Sequence, residues 1–168
     1  MALNSLQEFI AALEREGELV RVREAVRTRL EIAEIADRCM KSKDGGPALL
    51  FERPVLEDGS ISAIPVAINL FGSLRRICLA LGVERLDEIG GRISELLELK
   101  VPEGLLGKLA LLPRLAELAR FPPRTRSGRG SCQDIVFEGD AVDLARIPFL
   151  VTWPEDGGRY ITLPLVIT

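Results

Sequence analysis

Residues 45–82, GGPALLFERPVLEDGSISAIPVAINLFGSLRRICLALG, decide how the chain folds. Ala48-Leu49-Leu50-Phe51 is apolar without interruption, the pattern of a strand covered on both faces. Asp44-Gly45-Gly46-Pro47 before it and Arg53 to Ser60 after it carry turn chemistry. Pro65 to Phe71 is a further strand, and Gly72-Ser73 hands it to a helix through Leu74, Ile77, Cys78 and Leu81. Strand, turn, strand, helix in this order predicts an α/β domain.

The flanking sequence extends the pattern. Ser5 and Glu8 form a capping box ahead of Leu6, Phe9, Ile10 and Leu13 at helical spacing, and Gly17 ends that helix. Leu19-Val20-Arg21-Val22 alternates as a short strand. Thr28 and Glu31 read as a second capping box, opening a helix whose apolar face is Leu30, Ile32, Ile35, Ala36, Cys39 and Met40. Residues 86–99 and 105–118 are expected to be helical, with Pro113 kinking the second. The carboxylates Glu84, Asp87, Glu88, Glu95 and Glu98 stand beside Arg85, Arg92 and Lys100, the arrangement of a solvated face rather than of a catalytic pair, which needs burial.

The character changes at Phe121-Pro122-Pro123. Beyond a basic, Pro- and Gly-rich connector the sequence turns to strands: Asp134 to Phe137, Ile147 to Val151, and a final run from Ile161 to Thr168. The expected architecture is an α/β N-terminal domain over residues 1–120, followed over 121–168 by a connector and the first strands of an incomplete sheet. An apolar strand at a terminus leaves an unpaired edge, so the chain reads as the front part of something longer.

Composition narrows the chemistry. The 168 residues carry 22 Lys and Arg against 25 Asp and Glu, a net charge of -3 that argues against nucleic acid as a partner. Histidine is absent, which removes His-based triads, His general bases and nearly all zinc sites. Three widely spaced cysteines, Cys39, Cys78 and Cys132, fit reduced thiols in a cytoplasmic protein better than a disulfide framework. Cys132 has no His and no clear helix start to stabilise a thiolate, so a small buried residue is the expectation. The N-terminus has no secretory pattern, and no run approaches the roughly 18 apolar residues of a membrane span.

Two local motifs stand out. Gly72-Ser73 ahead of a helix, with Arg75 and Arg76 behind, has the form of an anion-binding helix start. The plainer reading makes Gly72 the turn and Ser73 the cap, since neither a dinucleotide nor a P-loop pattern is present. Trp153-Pro154-Glu155-Asp156-Gly157-Gly158 is a turn that specifies both backbone shape and an aromatic anchor.

Taken in order, LQEFIAALEREGELVRV, LEIAEIADRCM, GGPALLFERP, PVAINLFGS, SGRGSCQ and above all GDAVDLARIPFLVTWPEDGGRYITLPLVIT resemble the N-terminal part of the UbiD family of prenylated-flavin-dependent carboxy-lyases. The resemblance implies an enzyme that reversibly decarboxylates aromatic or α,β-unsaturated acids, 4-hydroxybenzoate-type acids of ubiquinone biosynthesis among them. It implies prenylated FMN held with Mn2+ and K+, a flavin prenyltransferase as cofactor supplier, a homo-oligomer, and a split β-barrel of which residues 121–168 are the opening strands. The family's Asn and Arg around metal and phosphate, and its Glu-Arg-Glu acid–base group, match no position here. Residues 1–168 are therefore assigned no catalytic, cofactor-binding or metal residue, and the segment alone is expected to be inactive and to bind no cofactor. The competing expectation is a standalone α/β binding module using Gly72-Ser73 for an anion.

Overall fold

A three-stranded sheet with helices on both faces organises the first half of the chain. The structure, a computed structural model, describes residues 3, 5–97, 116, 119, 127–130 and 133–161. Helix α1 is Leu6–Arg15, strand β1 Leu19–Arg27, helix α2 Glu31–Met40, strand β2 Ala48–Val55, strand β3 Val66–Ile68, helix α3 Leu74–Leu81 and helix α4 Asp87–Leu97. The sheet order is β1-β2-β3, with β1 parallel and β3 antiparallel to β2. By contacts, residues 1–86 and 143–168 form one compact unit and 87–142 another.

Strand β2 is central, and its apolar run is buried as expected. Leu49 and Phe51 meet Ile32 and Ala36 of α2 and Val26 of β1 in one core cluster, which Val22, Val66, Ile68 and Leu150 flank. Ala48 points the other way, with Phe9 and Leu13 of α1, and Leu79 and Ala80 of α3 pack beside them. Complete burial of Phe51 and Ile32 removes two large apolar side chains from water, roughly 1.5–3 kcal/mol each.

Helix starts divide into one surprise and two expected caps. Ser5 accepts a hydrogen bond from the Glu8 N–H at 3.1 Å, and Ser73 accepts one from the Arg76 N–H at 3.2 Å. The expected capping box at Thr28 does not form. Strand β1 runs past the expected end at Val22 to Arg27, and the Thr28 hydroxyl donates to the Val55 carbonyl of β2 at 3.1 Å. Glu31 accepts instead from the Arg27 N–H at 2.8 Å, and Leu30 occupies the cap position with no side-chain bond.

The strand expected at Asp134 to Phe137 is also corrected. These residues form no ladder, and Ile135 is 75% exposed, because no neighbouring strand is available among the described residues to pair with it. Two isolated bridges mark the region after Ile147: Arg29 with Val151, parallel, and Leu150 with Tyr160, antiparallel. The expected final strand and the expected helix over 105–118 fall on residues outside those described, apart from Ile161 and Ala116. Helix α4 matches the expectation for 86–99 within its described bounds, and its Glu88 and Arg92 approach to 3.9 Å on an exposed face.

Candidate functional site

Two places in the first unit concentrate polar chemistry. The first is the crossing of two loops, 45–46 and 69–73. Asn69 adopts φ 58° and donates from Nδ2 to the carbonyls of Gly45 at 2.8 Å and Pro47 at 2.9 Å. The backbones approach so closely that a Cβ on Gly45 would lie 2.1 Å from the Gly72 carbonyl oxygen, at a φ of +79° that already disfavours a side chain. A Cβ on Gly72 would lie 1.8 Å from Asn69 Oδ1 and 2.8 Å from Arg76 Nη2.

Arg76 is threaded through this crossing with 1% of its surface exposed. Its Nη1 donates to Glu18 Oε2 at 3.0 Å and to the Gly46 carbonyl at 2.6 Å. Its Nε and Nη2 are closed to solvent and have no hydrogen-bond partner among the described residues. Arg75 reaches outward to Glu18 at 2.8 Å and Glu16 at 2.8 Å. An open cleft of about 520 Å³ lies alongside, lined among others by Lys43, Asp44, Ser73, Arg75 and Arg76. Its wall therefore mixes both signs of charge, and both arginines of the suspected anion motif already face carboxylates. The crossing is a structural joint: Ser73 caps, Gly72 makes room, and Arg76 ties three segments together.

The second place is the segment after Ile147. Leu30 N–H donates to the Val151 carbonyl at 2.9 Å and Val151 N–H to the Thr28 carbonyl at 3.3 Å. Val151 is buried, and Leu150 packs on the core of the α/β unit. Further on, the Asp156 carboxylate accepts from the N–H groups of Thr152 at 3.0 Å and Trp153 at 2.8 Å. This carboxylate closes the turn singled out in the sequence and leaves Trp153 59% exposed. The signal for a structured turn was legible. Its attachment to the end of β1 was not, because nothing in a local pattern specifies a pairing partner about 120 residues away in the chain.

Among the described residues no group of three or more Cys, Asp or Glu is placed to hold a metal ion. Cys39 donates weakly to the Pro47 carbonyl at 3.4 Å, Cys39 and Cys78 are free thiols, and Cys132 is outside the described residues. No helix among the described residues is long and apolar enough to cross a membrane.

Fold and site together define a class: an α/β scaffold unit, built around a buried central strand, on which a later segment of chain is clamped. Comparison with known proteins makes that class specific. The sequence pattern of the 3-octaprenyl-4-hydroxybenzoate carboxy-lyase N-terminal domain matches residues 10–93, and that of the Rift-related domain of the same carboxy-lyase matches residues 124–168. The chain belongs to the UbiD family. An uncharacterised protein of Aquifex aeolicus (strain VF5) is 45% identical over 163 residues, 97% of this chain and 32% of that protein. The chain thus spans about a third of the curated relatives it matches. Among solved structures, the closed form of Sedimentibacter hydroxybenzoicus vanillic acid decarboxylase aligns with a TM-score of 0.66 at 24% identity, over 96% of this chain and 30% of that one, a likeness of fold. An evolved dimeric form of the UbiD-class enzyme HmfF from Pelotomaculum thermopropionicum, in complex with prFMN, aligns over 60% of this chain and 21% of that one, with 32% identity and a TM-score of 0.45.

Proposed function

We propose that these residues are the scaffold portion of a UbiD-type carboxy-lyase that reversibly decarboxylates aromatic or α,β-unsaturated carboxylic acids. The observation that carries the reading is the succession of two carboxy-lyase patterns, over 10–93 and 124–168, in one chain. Residues 1–120 act as the α/β domain and 121–168 as the opening of a flavin-binding split barrel. The whole protein uses prenylated FMN with Mn2+ and K+, receives its cofactor from a flavin prenyltransferase, assembles as a homo-oligomer and works in the cytoplasm. Its substrates belong to the class that includes 4-hydroxybenzoate-type acids.

The described residues do not themselves fit the cofactor. They offer no cluster of acidic or thiol ligands for a divalent ion. The loop-to-helix start at Gly72-Ser73 has its basic neighbours engaged by Glu16 and Glu18. We give the described residues no catalytic, flavin or metal role. What this part contributes is position: it holds the backbone at Val151, and with it the Trp153 turn, against a rigid sheet.

The test is turnover. Full-length protein produced together with a flavin prenyltransferase, in manganese and potassium, is offered a panel of aromatic and α,β-unsaturated acids and assayed for CO2 release and for exchange with labelled bicarbonate. Release or exchange with at least one acid is expected, and none from the 168 residues alone. A cofactor-loaded full-length protein inert on the whole panel overturns the reading.

A further inference from the structure

Leu30 has φ 68° and ψ −37°, and the N–H of Glu31 donates to the carbonyl of Arg29 at 2.8 Å across it. These are the marks of a three-residue γ-turn with positive φ, the rarer and strained of the two γ forms. The other non-glycine residues at positive φ among those described are Asp44 and Asn69, whose short polar side chains suit that region. Leucine has no such compensation. Strain of this kind survives only where surrounding contacts over-determine it.

Three segments supply those contacts. Leu30 N–H reaches the Val151 carbonyl, Val151 N–H reaches the Thr28 carbonyl, and Thr28 N–H reaches the Val55 carbonyl at 3.0 Å. The Thr28 hydroxyl adds a second bond to that carbonyl, and Glu31 bonds back to Arg27 N–H. The turn is held by β2 on the sheet side, by α2 on the helix side, and by Val151 beyond them. Remove Val151 and the positive φ loses the partner of its own amide.

We propose that the turn at Leu30 is a strained latch for the segment around Val151. Its left-handed geometry persists only while Val151 is seated, and undocking of the segment lets Leu30 relax to ordinary backbone. Turn and segment then form one two-state element, which sets the position of the Asp156-closed turn bearing Trp153. The inference stands on the geometry of β1, α2 and Val151 and does not depend on the carboxy-lyase reading.

Amide exchange and backbone chemical shifts of the intact chain test it, with amides of β2 as the control for global unfolding. In the parent chain the Leu30 and Val151 amides are expected to share one protection factor. Val151→Pro removes the N–H that reaches Thr28. It is expected to lower Leu30 protection about tenfold or more relative to the β2 control, and to move the Leu30 Cα shift out of the positive-φ range. Leu30→Gly and Leu30→Ala both remove the side chain, but only Gly frees the backbone. Val151 protection at least about threefold higher in the Gly variant is expected, because only the L residue is strained at this φ. Leu30→Ala protecting Val151 as well as Leu30→Gly does overturns the proposal. So does a positive-φ signature at Leu30 that survives Val151→Pro with α2 folded.

Discussion

Arg76 holds a full positive charge where almost no water reaches it, and only one of its three nitrogens has partners among the described residues. A buried ion pair contributes little net stability, yet breaking one leaves an uncompensated charge and costs about 3–5 kcal/mol. Glu18→Ala strands the Arg76 guanidinium on the Gly46 carbonyl alone and is expected to destabilise the chain by that amount in urea unfolding. The glycines around it differ in kind. Gly45→Ala drives a Cβ onto the Gly72 carbonyl, a backbone atom that cannot swing away, whereas Gly59 has φ +84° with open space around it. Gly59→Ala is expected to cost roughly 1–2 kcal/mol from backbone conformation alone, and Gly45→Ala clearly more, measured side by side. None of this was legible beforehand: sequence pattern marks Arg75 and Arg76 alike as basic, and only the crossing of the two loops makes one exposed and the other buried. Exposed acids respond to pH in a definite direction. Hydrogen bonding to Arg21 holds Glu14 below the ordinary carboxylate range, and bonds from Ser60 do the same for Asp58. A lowered folded-state value means the stabilisation is complete above the unfolded pKa and fades as pH falls through the folded one. The Asp58 carboxylate is therefore expected to titrate, by NMR, at lower pH than a model aspartate. Ser60→Ala, which removes the hydroxyl donor at 2.7 Å and keeps the backbone donor at 2.9 Å, should move it part of the way back.

At the scale of elements, strand β2 carries the fold, and its place was readable because burial on both faces demands a continuous apolar run. Phe51→Ala is expected to cost about 3–5 kcal/mol in the same urea measurement, since Ile32, Ala36 and Val26 enclose the ring's site and cannot all collapse into the space. Helices α1 and α3 were equally readable, each opened by a serine whose hydroxyl finds the expected amide. The start of α2 was not. Thr28 and Glu31 have the right spacing for a capping box, but Thr28 is drawn into the end of the β1–β2 ladder, where tertiary pairing outweighs the local signal. The failure at Asp134 to Phe137 has a related cause. Alternation and β-branched residues state a preference for strand, and a strand exists only when another supplies its hydrogen bonds. The bridges at Leu150 and Val151 exist because the open end of β1 and Tyr160 supply theirs.

At the scale of the molecule, the first unit brings together two stretches far apart in the chain, residues 1–86 and 143–168. The resemblance of the whole succession of segments identified the family, where no single motif did, and the two matched patterns bear it out. Function was less legible than family because what the described residues display is a joint at Arg76 and a docking edge at Val151. On the proposed function, the flavin is held by residues outside this scaffold. The most direct test of this is the absorbance of purified protein after co-expression with a flavin prenyltransferase, full-length chain against residues 1–168. The expected result is a flavin-like spectrum retained by the full-length protein and a colourless shorter chain. Stoichiometric flavin retained by the 168 residues, or none by the full-length protein, would contradict it.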